Sequence, residues 1–180
     1  EALEIALDLP ESGTRHLQIT CIPMVDGAGR VCEVMGITHD FTEQYRAAIA
    51  LSDEERRFHT VFNQQFQFMV LLNPEGRILE INDVPLRAGG VSREDVVGQV
   101  FWDATWWRDL PSMRSSFPKR LEAACLAQSP VFSIDEYQVA TGEIRTAETS
   151  ITAVRDDSGE LQYYIVQASD ITEKQRARED

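Results

Sequence analysis

The chain has 180 residues, 43% hydrophobic and 26% charged, which excludes wholesale disorder and suffices for one large domain or for one domain plus part of another. Thirty acidic side chains against seventeen basic ones leave a formal net charge of -13, which argues against direct binding of nucleic acid. No run approaches the ~20 apolar residues of a membrane-spanning helix, so no membrane is expected in this stretch. The three cysteines, Cys21, Cys32 and Cys125, form no CxxC pair, and His16 and His39 show no finger spacing, so no metal is expected. The thiols read as free and buried, in the reducing setting of a cytoplasmic protein.

From the amino terminus, "ALEIALDL" and "HLQITCIPMV" read as strands. The turn "DGAG" leads into a third, "RVCEVMGITHD", with β-branched residues bracketed by Gly and Asp as a hairpin requires. The stretch after Asp40 is polar, glycine-free and helix-favouring. Phe41, Ala48, Leu51, Phe58 and Phe62 occupy heptad seam positions, with Glu55 and Gln65 as polar exceptions. Ser52 and Glu55 also form a capping box, which leaves open a break near Leu51.

Next come "QFMVLLN" and "RILEIN", a hairpin whose turn takes its geometry from Pro74 and Gly76. "DVPLRAGG" and "SREDVVGQ" predict short helices, the second capped by Ser92. A longer helix lies within "SMRSSFPKRLEAACLAQS", with Phe117, Leu121, Ala124 and Cys125 at helical spacing and Pro118 expected in its first turn. Three more strands close the series: "PVFSIDEYQVA", "IRTAETSITAV" and "LQYYIVQAS". Two strands, several helices and three strands make an α+β plan.

The end repeats the beginning. Shifted by 130 positions, Asp26 falls on Asp156, Gly29 on Gly159, Asp40 on Asp170, Thr42 on Thr172, and Arg46 on Arg176. Each copy runs strand, turn, strand, Asp-x-Thr, helix. At that junction Asp170 or Thr172, like Asp40 or Thr42, can accept hydrogen bonds from the unpaired first amides of the helix. The motif serves equally as a plain cap or as a lever between sheet and helix.

"FMVLLNPEGRILEIND", "VVGQVFWDATWW", the three closing strands and "ASDITEKQRARE" together resemble a PAS sensor domain with its C-terminal PAC motif. The resemblance implies a PAS-like five-stranded antiparallel sheet with helices over one face, spanning residues 57–172. Residues 1–44 resemble the last strands of a preceding PAS domain, 45–60 a helical linker, and 173–180 the start of an outgoing signalling helix. Lacking its front half, the first piece is expected to cover its apolar face with the complete domain, the linker helix or a second chain.

The resemblance also implies which strand residues face the helices. Tyr164, Val166 and Ala168, with Phe68, Val70, Ile81, Phe117, Leu121, Phe132, Ile134 and Ile151, are candidates to line a ligand pocket or simply to fill it. Phe101, Trp102, Trp106 and Trp107 either gate such a cavity, with Arg108 offering a charge, or cover the open side of the sheet. Haem-binding relatives place a histidine on the long helix, and His16, His39 and His59 all lie outside the complete unit's interior, so haem is not expected. The flavin-photosensor cysteine loop is missing, so flavin is not expected either, which leaves an unidentified small organic ligand or none. No phosphate loop, Gly-x-Ser-x-Gly or His-Glu-x-x-His occurs, and adjacent Asp135 and Glu136 point to opposite faces of a strand, so catalysis is not expected.

The resemblance therefore implies a sensory module that binds a small molecule or dimerises, through the linker helix or the sheet surface, and signals through a helix to an output domain. A histidine kinase is the first expectation for that output and a diguanylate cyclase the second. The alternative is a pure dimerisation module with a filled core.

Overall fold

The computed structural model describes residues 2–179 apart from Ser12, Gln65 and Gln128. The chain divides into two compact units, Glu1–His59 and Thr60–Asp180.

In the first unit β1 (Ala2–Leu9), β2 (Gly13–Val25) and β3 (Val31–Asp40) form an antiparallel meander. The β2–β3 turn closes on Asp26, whose Oδ1 accepts the amides of Ala28 and Arg30 at 2.9 and 3.0 Å. Helix α1 (Thr42–Gln64) follows without the break considered near Leu51. It contains no Gly or Pro, so nothing interrupts its hydrogen-bond ladder and the Ser52–Glu55 box caps no helix start. Of its seam, Leu51 and Phe58 are exposed, while Gln65 lies outside the described residues.

The second unit is a five-stranded sheet in the order β5-β4-β8-β7-β6, antiparallel throughout. Its strands are β4 (Phe68–Leu72), β5 (Ile78–Ile81), β6 (Val131–Gln138), β7 (Ile144–Arg155) and β8 (Leu161–Asp170). The register sets Val70, Val166, Ile151 and Val131 in one row across four strands, which fixes the inner face. Helices α2 (Asp83–Gly89), α3 (Arg93–Val96) and α4 (Pro111–Leu126), with 3₁₀ turns at Phe101–Asp103 and Thr105–Trp107, cover that face alone. This is the α+β arrangement expected, with helices over one side. Ser92 caps α3 through a reciprocal box with Asp95. Helix α5 (Thr172–Glu179) leaves directly from β8.

Two expectations are corrected. Pro118 lies inside α4, and the first-turn proline is Pro111. Burial of Met113, Phe117, Leu121 and Ala124 against the sheet outweighs the backbone bond that Pro118 cannot donate. Cys21 and Cys32 are exposed and Cys125 is half-buried. The first two sit on strands of a sheet over which, among the described residues, no helical layer lies, so alternation alone does not bury them. Among the described residues, no helix is long and apolar enough to cross a membrane.

Candidate functional site

Between the sheet and the helices of the second unit lies a cavity of about 40 Å³. That is room for about three waters. Of the residues predicted for a pocket, Phe68, Val70, Phe101, Trp106, Phe117, Val166 and Ala168 line it. Ile81, Leu121, Ile151 and Tyr164 are buried in the surrounding core but do not line it, and neither does half-buried Trp102. Trp102 lies over Phe117, and a methyl group built on Gly76 would sit 2.3 Å from its ring.

Phe132 and Ile134 are corrected outright: they point away from the helices and are 70% and 63% exposed. Register decides this. Val131 pairs with Ile151 and Ser133 with Thr149, so the inward residues of β6 are Val131, Ser133, Asp135 and Tyr137. A slip of one residue in phase inverts a strand's faces. Asp135 reaches the cavity because Arg120 of α4 binds both its oxygens, at 2.6 and 2.7 Å, and donates to Ser133 Oγ at 2.5 Å. Arg120 also stacks over Phe117, 5.0 Å from the ring centre. The cation beside the cavity is therefore Arg120, and Arg108 is exposed.

The tryptophans separate by role. The Trp106 indole donates to the Pro85 carbonyl at 2.9 Å, fastening the 3₁₀ segment to α2, and its ring leaves no space for a side chain at Gly89. Trp107 lies edge-on to Phe101, and its buried N–H has no partner among the described residues.

At the far end of β8 the sheet is sewn to the outgoing helix. Asp170 Oδ1 accepts from the Thr172 amide at 2.9 Å and from its hydroxyl at 2.6 Å. The Thr172 hydroxyl accepts in turn from the Thr146 amide of β7 at 2.9 Å, and Ile171 N–H donates to the Thr146 carbonyl at 2.8 Å. The first unit repeats this at Asp40 and Thr42, at 3.0 and 2.6 Å, with the His16 amide donating to Thr42 at 2.8 Å. Beyond Asp170 a chain of charges runs through Arg145 and Glu143 to Arg176 on α5, at 3.3, 3.1 and 3.1 Å.

Sequence reasoning missed the residue that joins cavity to junction. Tyr137 lines the cavity, packs edge-on to Phe68 at 5.1 Å, and donates its hydroxyl to Asp170 Oδ2 at 2.8 Å. Burial, then the neighbouring carboxylate, push the Tyr137 hydroxyl far above its ordinary 10.0, so it remains a donor. Burial pushes the Asp170 carboxyl upward, but bonds from Thr172, Tyr137 and Arg145 outweigh it and hold the group below its ordinary 3.8.

Asn82 was also missed. Fully buried ahead of α2, it accepts from the Met69 amide at 3.0 Å and donates to the carbonyls of Phe62 and Gln67 at 3.2 and 2.9 Å. It ties the start of β4 to the end of α1. An Asn just before a helix signals a cap, and only the fold shows that its side chain serves other backbone groups.

The family described as PAS fold matches residues 62–176. The chain is 26% identical over 133 residues to the sensor histidine kinase TmoS of Ectopseudomonas mendocina, covering 73% of this chain and 14% of that protein. It is 25% identical over 130 residues to the probable diguanylate cyclase DgcE of Escherichia coli K12, covering 72% of this chain and 11% of that one. The crystal structure of a PAS domain from Colwellia psychrerythraea superposes with a TM-score of 0.57 at 17% identity, covering 66% of this chain and 97% of that one. The chain thus spans about a seventh or less of the length of these two relatives.

Proposed function

We propose, starting from the fact that this chain belongs to the PAS fold family, that its second unit is a small-molecule sensor acting through Tyr137. The observation that carries this reading is one carboxylate shared by two structures: Asp170 accepts from Tyr137 in the cavity wall and from Thr172 at the head of α5. An organic ligand needs more than the present 40 Å³, so binding separates the helical layer from the sheet. A ligand that selects the opened state shifts the population toward it, and Tyr137 transmits the change to the cap of α5. The parent protein's output, a histidine kinase first and a diguanylate cyclase second, reads the helix. On this reading the chain is regulatory, works in the cytoplasm and performs no catalysis itself.

A second reading, dimerisation with a filled core, draws on the smallness of the cavity and on exposed apolar side chains. Leu51 and Phe58 lie open on α1, and Phe132 and Ile134 on the outer sheet face. Native mass spectrometry of freshly purified parent protein distinguishes the two. The sensor reading expects a retained small molecule that Tyr137→Phe leaves bound while output activity changes several-fold. Dimers without any retained molecule, and unchanged output in Tyr137→Phe, contradict it.

A further inference from the structure

We propose that the apolar face of the β1-β2-β3 sheet is the inner face of a second unit of this same fold, and that the segment of the parent polypeptide preceding residue 1 folds onto it. That segment lays helices across the face and a strand along the open edge of β3.

The repeat at 130 positions holds residue by residue in three dimensions. The pair Ser133↔Thr149 becomes Leu3↔Ile19, Ala147↔Asp170 becomes Leu17↔Asp40, and Ile151↔Val166 becomes Cys21↔Gly36. The turn repeats as well, with Gly29 and Gly159 at φ of 76 and 83° and the two aspartates accepting equivalent amides. One residue therefore predicts the environment intended for its counterpart.

In the second unit the inner positions Tyr137, Ile151 and Tyr164 are 4, 0 and 3% exposed, because α2, α4 and the tryptophan segment lie over them. Their counterparts are Leu7, Cys21 and Val34. Leu7 and Val34 stand 43 and 61% exposed, and Cys21 is exposed too. Where the second unit places polar Ser133 and Asp135, the first places Leu3 and Ile5, so its inner face is the more apolar of the two. The opposite face mixes Glu4, Gln18, Glu33 and His39 with Ile22, Met24, Met35 and Ile37. Uncovered apolar area of this kind marks a surface made for a partner.

The edge points to the same occupant. β8 is flanked on both sides, by β7 and by β4, the latter through Ala168↔Phe68, Val166↔Val70 and Tyr164↔Leu72. Among the described residues β3 is flanked by β2 alone, which leaves Thr38, Gly36 and Val34 as the pairing positions for a further strand. A second copy of this sheet offers strands but no helical layer, whereas a front half of the second unit's type, roughly 60 residues from Phe68 to Leu126, offers both.

The cysteines report on this directly. Cys21 lies on the face in question, whereas Cys32 corresponds to Gln162, which is exposed in the second unit. The experiment is timed iodoacetamide labelling, read by peptide mass spectrometry, of the 180-residue chain and of the parent polypeptide. Both thiols should label rapidly in the shorter chain. In the parent polypeptide Cys21 should label at least about tenfold more slowly than Cys32. Equal rates for the two thiols in the parent polypeptide overturn the proposal. Protection of Cys21 in the shorter chain that grows with its concentration overturns it too, in favour of a second copy.

Discussion

Asp170 does three jobs with two oxygens. Oδ1 closes the head of α5 through Thr172, and Oδ2 is divided between the Tyr137 hydroxyl and the Arg145 guanidinium. Such bonds favour the ionised carboxylate, which is why its pKa lies below the ordinary value of 3.8 despite partial burial. For a depressed carboxylate the sign is fixed: the stabilisation is complete above the unfolded pKa and disappears as pH falls through the folded one. Asp170→Ala should therefore cost about 1–2 kcal/mol at neutral pH, the value of a lost cap and a charged hydrogen bond. It should also flatten the decline of melting temperature between about pH 5 and about pH 3. Melting curves for mutant and parent that stay parallel across that interval would show that the carboxylate stores no such energy.

The elements of the second unit meet through close approaches that small residues permit. The β4–β5 turn presents Gly76, at φ 79°, to the Trp102 ring. Gly142, at φ 86°, turns β6 into β7 with nothing within 4 Å of where its Cβ would be. Both alanine variants meet the left-handed backbone cost of about 1–2 kcal/mol, and only Gly76→Ala adds a steric clash of about 1–3 kcal/mol. Chemical denaturation should rank Gly76→Ala clearly below Gly142→Ala, and equal midpoints would mean that Trp102 swings aside without cost.

Element type and order were legible because turn residues, β-branched runs and the repeat all agreed. Phase was not legible on β6. Phe132 and Ile134 have the look of core residues, yet pairing with β7 turns Ser133 and Asp135 inward, where Arg120 satisfies them. A polar inner face defeats a reading that equates apolar with inside. Pro118 misled for a related reason, since its local cost is offset by the packing of Phe117 and Leu121, which no local rule sees. The Asp-x-Thr motif was visible as a cap, but Tyr137 lies 33 residues from Asp170, and only the sheet brings them together.

At the scale of the molecule, the second unit holds a helix at each end by a hydrogen-bonded polar side chain. Asn82 grips the last turn of α1 through the Phe62 carbonyl, and Asp170 grips the first turn of α5. The cavity lies between sheet and helices with its wall hydrogen-bonded to the second grip, so a disturbance among Phe101, Trp106 and Phe117 has a short route outward through Tyr137. The most direct test needs no knowledge of the ligand: amide exchange at the head of α5 in Phe117→Leu, Tyr137→Phe and the double variant. Phe117→Leu enlarges the cavity from the helix side, far from Asp170 in sequence. The account predicts that it accelerates exchange from Thr172 to Gln175, and that the acceleration vanishes when Tyr137 is already Phe, a non-additive cycle. Identical α5 exchange in Phe117→Leu and the parent chain, or strictly additive effects, would contradict a link from cavity to helix.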